Sequence, residues 1–504
     1  MHRFRSWTLD PPEWRTQRNR ALSIEGGDGS ALNVDFTTGV LDPKVSFSRI
    51  GNATFINSSG NVEWAAANMY ANSAWNDATA TPSGWTAFGL SATATVAIAA
   101  DPEARTIAVT TGAGNQPFLY TAPTVSQGLV YTASVEIVSV THGSGGASEE
   151  VQYNQVLAAP FASTFTYYMN GSSVGASAKV TQTGVLTCVY VAGSSSQIRI
   201  GFASAPRNNC SVTVKAPQHQ PGEAITRTAF FRRTAAEGAY YAPRFDYDPN
   251  TLQSNGLLVE GSMANLIEQS QYCWGAGSVN TWVRSAQVHV NAVNGTAGAS
   301  AVSRITGPDN VSLSGTSLFK EAASNYVRIN QNFTSVISST YTVSVWVRHT
   351  TSNNTGFLLG LFNGGTWLSA TGSCSDPSVH VIGSASAGVE FRNLPINKWV
   401  RCSITAVATS TTTLFAIYPK VDTNDAATVY VWGSQAELGN GSSSYIPTGN
   451  STVTRAFDNI DFADKNWFTS WTSTWITDVK IGHCSLAPYL LYVRSITDPY
   501  NNLS

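Results

Sequence analysis

The residues best suited to bind a ligand lie on the segment Tyr341–Arg348, in which apolar and polar side chains alternate. Successive side chains of a strand point to opposite faces, so Trp346 and Arg348 lie on the face opposite the apolar side chains. A neighbouring strand that buries Cys402 adds Arg401 to the same face. An aromatic ring that stacks on a pyranose, with charged groups that bind its hydroxyls, forms a sugar site. We therefore predict a carbohydrate-binding surface at Trp346, Arg348 and Arg401, with cover of Trp346 by a loop or a neighbouring subunit as the alternative.

No other residues show the spacing of a catalytic or metal site. The histidines stand apart from any Ser or Cys nucleophile with an acid partner. Asp246–Asn250 has alternate side-chain oxygens, but it lacks the glycine and the distal glutamate of a calcium loop. The six cysteines form no CxxC pair, and we interpret them as buried free thiols of a reducing cytoplasm. The sequence predicts no catalytic residue, no metal, no cofactor and no enzyme activity; a glycan-cleaving site at a subunit boundary is the alternative.

Composition excludes several classes of function. Only 12% of the 504 residues are charged, about half the usual share of roughly 25%, and the net charge is −2. A charge of that size attracts neither nucleic acid nor an anionic membrane. The first residues lack the apolar core of a secretion signal, and no run of about 18 apolar residues occurs. We therefore predict no nucleic-acid partner and no membrane insertion.

An internal repeat organises most of the chain, because landmarks of similar sequence recur in the same order. The pairs are Asn68–Trp75 with Asn265–Trp274, Tyr131–Ile137 with Tyr341–Arg348, Leu186–Tyr190 with Val400–Ile404, and Thr226-Arg227 with Thr454-Arg455. Clusters of turn-forming residues separate these short alternating runs. The pattern, in a chain rich in aromatic and hydroxyl residues, predicts an all-β fold of tandem antiparallel jelly-roll β-sandwiches preceded by an extended N-terminal arm.

The landmarks divide the chain into six parts. They are an extended arm (1–33), a connector segment (34–67), module A (68–230), a second connector (231–264), module B (265–457) and a C-terminal β segment (458–504). The arm is rich in arginine and tryptophan. We predict that it docks to a partner through Arg3, Arg5, Trp7, Trp14 and Arg15, with an unstructured terminus as the alternative. The C-terminal segment is a hairpin, an oligomerisation patch or a truncated domain.

Several of these segments together resemble a known family. They are Val34–Asp42, Phe47–Arg49, Ala53–Phe55, Pro243–Pro249, Gly256–Glu260, Asn265-Leu266, Val431–Leu438 and Ser444–Thr448. In this combination the chain resembles tailed-bacteriophage fibre and spike proteins that carry carbohydrate-binding-module-like jelly rolls, over roughly residues 34–460. Module A departs from the pattern, since Lys215–Gln220 stands where module B has Trp432–Glu437, and it looks like an inserted module.

The resemblance implies a virion structural protein, made in the host bacterial cytoplasm and attached to the head or the tail. It implies contact with a host surface glycan, and docking of the arm to other virion proteins of the head, portal or tail. Weak sites gain from avidity, so a homo-oligomer is expected, with a trimer as the simplest state. Two alternatives stay open: an architectural head, collar or tail decoration without glycan binding, and a polysaccharide-depolymerising tailspike.

Overall fold

A computed structural model describes residues 35–462 together with 493–494 and 502–503. Within the first range it leaves out 111–115, 144–150, 161, 163, 177, 194–196, 203–208, 228, 272–280, 286–287, 291–304, 312–313, 322–326, 350–356, 364–371, 375–377, 385–386 and 421–425. The predicted arm, with Arg3, Arg5, Trp7, Trp14 and Arg15, lies outside the described residues. Most of the predicted C-terminal segment does so as well.

The leading segment and the first half of the chain form sixteen strands and two short helical turns. A 3-10 helix at Phe36–Thr38 precedes β1 (Val45–Ser48), β2 (Thr54–Ile56) and β3 (Val62–Trp64). Next come β4 (Ala67–Asn68), β5 (Thr86–Phe88), β6 (Ala94–Ile98), β7 (Ala104–Val109), β8 (Phe118–Thr121), β9 (Val130–Thr141), α1 (Tyr153–Val156), β10 (Leu157–Ala158), β11 (Thr164–Met169), β12 (Ser172–Val174), β13 (Gly184–Val191), β14 (Ile198–Gly201), β15 (Cys210–Pro221) and β16 (Tyr240–Tyr241).

The second half of the chain is built from strands alone in its described part. The connector holds β17 (Arg244–Tyr247), β18 (Ser254–Leu258) and β19 (Met263–Asn265). Module B contributes β20 (Val283–Arg284), β21 (Val288–Val290), β22 (Thr316–Lys320), β23 (Ile329–Thr334), β24 (Thr340–Arg348), β25 (Phe357–Asn363), β26 (Gly372–Cys374), β27 (Ser378–Ser384), β28 (Ala387–Phe391), β29 (Val400–Val407), β30 (Thr412–Tyr418) and β31 (Ala427–Leu438). They are followed by β32 (Val453–Arg455), β33 (Asn459–Phe462), β34 (Val493–Arg494) and β35 (Asn502–Leu503).

Each module is a sandwich of two sheets around its own apolar core. In module A a seven-stranded sheet, β12-β11-β13-β9-β15-β7-β6, faces a four-stranded sheet, β10-β14-β8-β5. In module B two six-stranded sheets face each other, β20-β23-β30-β25-β28-β26 and β21-β22-β31-β24-β29-β27. Along the long central strands β9, β13, β24 and β29, alternate residues enter the cores, as the period of two requires. The predicted all-β fold of tandem β-sandwiches is confirmed.

The same side-chain hydrogen bonds recur in both modules and show that the repeat is structural. Asn68 Oδ1 accepts the backbone N–H groups of Tyr70 and His219, and Asn265 Oδ1 accepts those of Ile267 and Ala436. The Tyr131 hydroxyl oxygen accepts the Ser126 N–H at 2.9 Å, and that of Tyr341 accepts the Val336 N–H at 2.9 Å. Long strands β15 and β31 also bulge at equivalent places, at left-handed Ala216 and Gly433. Tyr131 therefore matches Tyr341.

This match corrects two of the sequence pairs. Cys188 lies opposite Ala133, whereas Cys402 lies opposite Val345, so the two cysteines are displaced by one inward-facing pair. The sequence pair still placed both cysteines in the core, because a displacement of two residues along a strand leaves a side chain on the same face. Arg227 also does not match Arg455: Arg227 donates to the Ala216 carbonyl, while Arg455 belongs to β32, which pairs with β19.

Module A is inserted between two segments that belong to module B. Its ends meet, since β4 pairs with β16 and the Ala242 N–H donates to the Ala66 carbonyl at 2.8 Å. Residues 45–66, 242–265 and 440–462, which we call the collar, come together around one end of module B through the pairs β1–β33 and β19–β32. The chain thus enters and leaves module A at one place on the collar.

Candidate functional site

The strand that carries the predicted sugar-binding residues has the expected two faces. Val343, Val345 and Val347 are fully buried in the core of module B. Trp346 and Arg348 therefore lie on the outer face of β24, and Arg401 lies beside them because its strand pairs Arg401 with Trp346. The prediction that these three residues share the face opposite the core is therefore correct.

The collar covers Trp346, so the prediction that this ring is an open sugar platform is wrong. Trp346 is only 5% exposed, and it packs in a cluster with Val62, Trp432 and Tyr445. The Trp432 and Tyr445 ring centroids are 4.5 Å apart, and the hairpin of β2 and β3 supplies Val62. A sugar cannot reach a ring whose face is packed against protein. The alternative of cover by a loop describes Trp346 correctly.

Arg401 is also turned inward by the collar. Its Nη1 donates to the Ser443 carbonyl at 2.6 Å, and its Nη2 donates to Ser344 Oγ at 2.9 Å. Burial lowers the pKa of Arg401, and the nearby carboxylate of Glu437 opposes that shift. Its guanidinium therefore stabilises the collar, and we remove Arg401 from the binding site.

Beneath this cover lies a buried network of charges that joins all three collar segments. Arg244 Nη1 binds Glu260 Oε2 at 2.6 Å, and its Nη2 binds the Asp458 carboxylate. Arg49 Nη1 binds Asp458 Oδ1 at 2.9 Å, and Arg455 Nη1 binds Glu260 Oε2 at 3.0 Å. Burial raises the pKa of Glu260, but the charges of Arg455 and Arg244 outweigh burial and hold that pKa at about 2. Many of the residues that carried the family resemblance thus hold the collar together.

Arg348 lies two residues beyond Trp346 on the outer face of β24, where the collar no longer buries the strand fully. It lies between two aromatic rings. Its guanidinium carbon is 5.6 Å from the centroid of Trp399 and 5.2 Å from that of Tyr430. Tyr430 is the cross-strand partner of Arg348, and Trp399 directly precedes Val400, the partner of Val347. All three side chains of this rim row (Trp399, Arg348 and Tyr430) are half-buried. The row offers two aromatic rings and a cation at the boundary between the collar and solvent.

Sequence reasoning found one of these three residues and missed the other two. Tyr430 alternates with the buried residues Val429 and Val431, which is the signal that was used for Trp346. Trp399 stands outside any strand, immediately before β29, so periodicity does not place it. It packs partly against the Trp346 cluster and so links the rim row to the collar.

Module A uses the equivalent surface differently. Glu136 matches Trp346, and it faces Lys215 Nζ at 3.8 Å and Arg227 Nη2 at 4.0 Å. The Glu136 and Lys215 side chains are 38% and 32% exposed, so their ion pair is a surface pair that contributes little to stability, whereas the Arg227 side chain is only 7% exposed. Module A therefore has a carboxylate where module B has the Trp346 ring.

A different face of module A presents aromatic rings. On the outer face of its four-stranded sheet, Phe88 is 55% exposed, and its ring is stacked on Phe118 with centroids 5.0 Å apart. Tyr120 lies beside Phe118, and Arg199 lies over the Phe118 ring at 4.8 Å while its Nε donates to Gln197 Oε1 at 2.7 Å. This aromatic face combines rings with amide and guanidinium groups.

The titratable groups of the cores have structural surroundings. His219 Nε2 lies 2.8 Å from the Tyr190 hydroxyl, and burial lowers the pKa of His219 to about 3. Cys188, Cys210 and Cys402 are buried free thiols, and burial raises the pKa of Cys188 to about 12. Within the described residues, no group of three or more His, Cys, Asp or Glu side chains is arranged to hold a metal ion. In the same part of the chain, no helix has the length and apolar character of a membrane span.

The chain was compared with known proteins. No family model and no curated protein matches it. Among solved structures, one described as "CBM4 structure and function" is 11% identical, covers 25% of this chain and 71% of its own, and has a TM-score of 0.19. The tandem domain CBM22-1-CBM22-2 of Xyn10C from Paenibacillus barcinonensis is 14% identical over 71% of this chain and 94% of its own, with a TM-score of 0.22. The ANXUR2 extracellular domain from Arabidopsis thaliana is 9% identical. The match covers 71% of this chain and 92% of that domain, with a TM-score of 0.20. At such low values, the assignment of the fold rests on this chain's own strands.

Proposed function

We propose that this protein is a non-enzymatic fibre or spike of a tailed-phage virion that binds host surface polysaccharide at the rim row of module B. The observation that carries the proposal is Arg348 held between Trp399 and Tyr430 at the edge of the collar. Ring surfaces contact the apolar faces of sugars, and guanidinium N–H groups donate to sugar oxygens.

The collar supports this row through Trp399. Trp399 packs against the cluster of Val62, Trp346, Trp432 and Tyr445, and ion pairs of the same collar join its segments. A ligand site that is already ordered loses little conformational entropy when it binds, which improves the affinity of a small contact area. The aromatic face of module A, around Phe88, provides a second surface of similar chemistry on the same chain.

The virion assignment is supported by the way the resembling segments come together. Segments that are distant in sequence, around Arg49, Arg244 and Glu260, meet in one collar on module B. The resemblance to phage fibre and spike proteins therefore concerns one structural unit, with module A as an addition to it. In this proposal the N-terminal arm docks to other virion proteins, and symmetric oligomers, simplest as trimers, supply avidity. The protein is made in the cytoplasm of the bacterial host and acts on the assembled particle.

Binding to an array of bacterial capsular and O-antigen polysaccharides tests the proposal. We expect the intact protein to retain at least one polysaccharide without shortening it, and Trp399→Ala to weaken that binding. Arg392→Gln is the control, because Arg392 is an exposed arginine of module B that pairs with Glu390 away from the rim row. Shortening of the polysaccharide would support a depolymerising tailspike. Absence of all binding would support an architectural decoration protein and overturn the proposal.

A further inference from the structure

Arg348 is a cation with no polar partner in the part of the chain that the structure describes. Its side chain makes no hydrogen bond and no ion pair with a described residue, although it is half-buried. Its Nε is shielded from solvent without an acceptor, as are those of Arg244, Arg401 and Arg455, but unlike those arginines it also has no acceptor among the described residues at its Nη groups. Other arginines of the same sheet face and collar are bound: Arg401 to carbonyl and hydroxyl oxygens, and Arg244 to two carboxylates. Buried polar groups are normally hydrogen-bonded, so an unpaired guanidinium at a ligand surface indicates that the ligand supplies the acceptor.

We propose that the ligand at the rim row carries a carboxylate, so that the bound polysaccharide contains an acidic sugar such as a uronic acid. This inference rests on the proposed function and names the chemical class of its ligand. A guanidinium and a carboxylate form two parallel N–H···O bonds in one plane, and such charge-assisted bonds are about twice as strong as neutral ones.

An aromatic ring lies on each side of Arg348. Trp399 lies on the β29 side and Tyr430 on the β31 side, so an acceptor reaches the guanidinium beside aromatic side chains. The planar guanidinium fork matches both carboxylate and phosphate, and the carboxylate is the anion that acidic sugars of the uronic type carry. Lys398 adds a second cation beside Trp399, and it is bound to the neutral amide oxygen of Asn250 at 2.9 Å. Hydroxyl groups of a neutral sugar accept hydrogen bonds but leave the positive charge uncompensated.

The test uses the array polysaccharide that binds most tightly, in its native form and after chemical reduction of its carboxyl groups to alcohols. We expect reduction to weaken binding by roughly tenfold or more, because one charged hydrogen-bonded pair is lost. Arg348→Gln should weaken binding of the native polymer by a similar factor and weaken binding of the reduced polymer much less, because only a neutral hydrogen bond is lost there. Arg348→Lys, which keeps the charge without the planar fork, should fall between them.

Arg392→Gln serves as the matched control and should bind both polymers as the wild-type protein does. Since the Arg348 side chain contacts the described residues mainly through the two rings, its variants should melt within a few degrees of the wild-type protein. The inference fails, while the proposed function stands, if the best ligand is neutral, if reduction leaves affinity unchanged, or if Arg348→Gln weakens both polymers equally. If no polysaccharide binds at all, the proposed function and this inference fail together.

Discussion

The buried charge network predicts a large penalty for removing one carboxylate from the collar. Asp458→Asn keeps the shape of the side chain, but it leaves Arg49 and Arg244 without the anion that each now binds. Both partners of each pair are fully shielded from solvent in their side chains. Removing one member of such a buried pair costs about 3–5 kcal/mol, because the remaining charge stays desolvated.

Urea unfolding followed by tryptophan fluorescence measures this penalty. With a slope of about 2 kcal/mol per molar, a loss of that size lowers the midpoint of the affected transition by about 1.5–2.5 M. The transition of module B and the collar should move, while that of module A stays, because module A has a separate core. The control is Glu103→Gln, which breaks a pair with Arg232 whose side chains are 35% and 46% exposed. Such exposed pairs contribute about 0–1 kcal/mol. A midpoint that moves no further for Asp458→Asn than for Glu103→Gln would show that the ion pairs of Asp458 do not stabilise the collar.

Three further predictions follow from the same contacts. Trp346→Ala should destabilise module B by about 3–5 kcal/mol, since the ring is buried under the collar, and thermal unfolding with a wild-type midpoint would contradict the cover. Because the folded pKa of Glu260 lies at about 2, below its ordinary value of 4.5, its contribution is complete above that ordinary value and is lost as pH falls toward 2. Melting temperatures between pH 6 and pH 2 should show this fall for the wild type, with a smaller fall for Glu260→Gln relative to its own value at pH 6. Deletion of residues 67–241 should leave a folded module B with an intact collar, to be checked by circular dichroism and by the retained urea transition.

How much the sequence could predict is clear from β24. Alternation alone placed Val343, Val345 and Val347 in the core and Trp346 on the outer face, because the period of a strand is local information. The cover over Trp346 comes from Val62, far away in the chain, and no periodicity reports which distant hairpin will pack on an outer face. The site therefore moved by one row, from Trp346 to the neighbours of Arg348.

The collar shows the same limit for charged residues. Arg49 and Asp458 form a buried pair across a separation of 409 residues, and each stands in a segment that reads as a polar connector. Charged residues are almost never fully buried unless paired, so the sequence favoured exposure for each of them taken alone. The repeat was predictable because Asn68 and Asn265 open both modules with the same local pattern. The insertion of module A is visible only when β4 and β16 are seen to pair.

A crystal structure of the intact protein with an oligosaccharide from its bound polysaccharide would show directly where the sugar binds. We expect density for a sugar at the rim row, with a carboxylate facing the Arg348 guanidinium and sugar atoms in contact with Trp399 and Tyr430. Density confined to the aromatic face of module A, or to any other surface while the rim row stays empty, would show that the rim row is not the binding site.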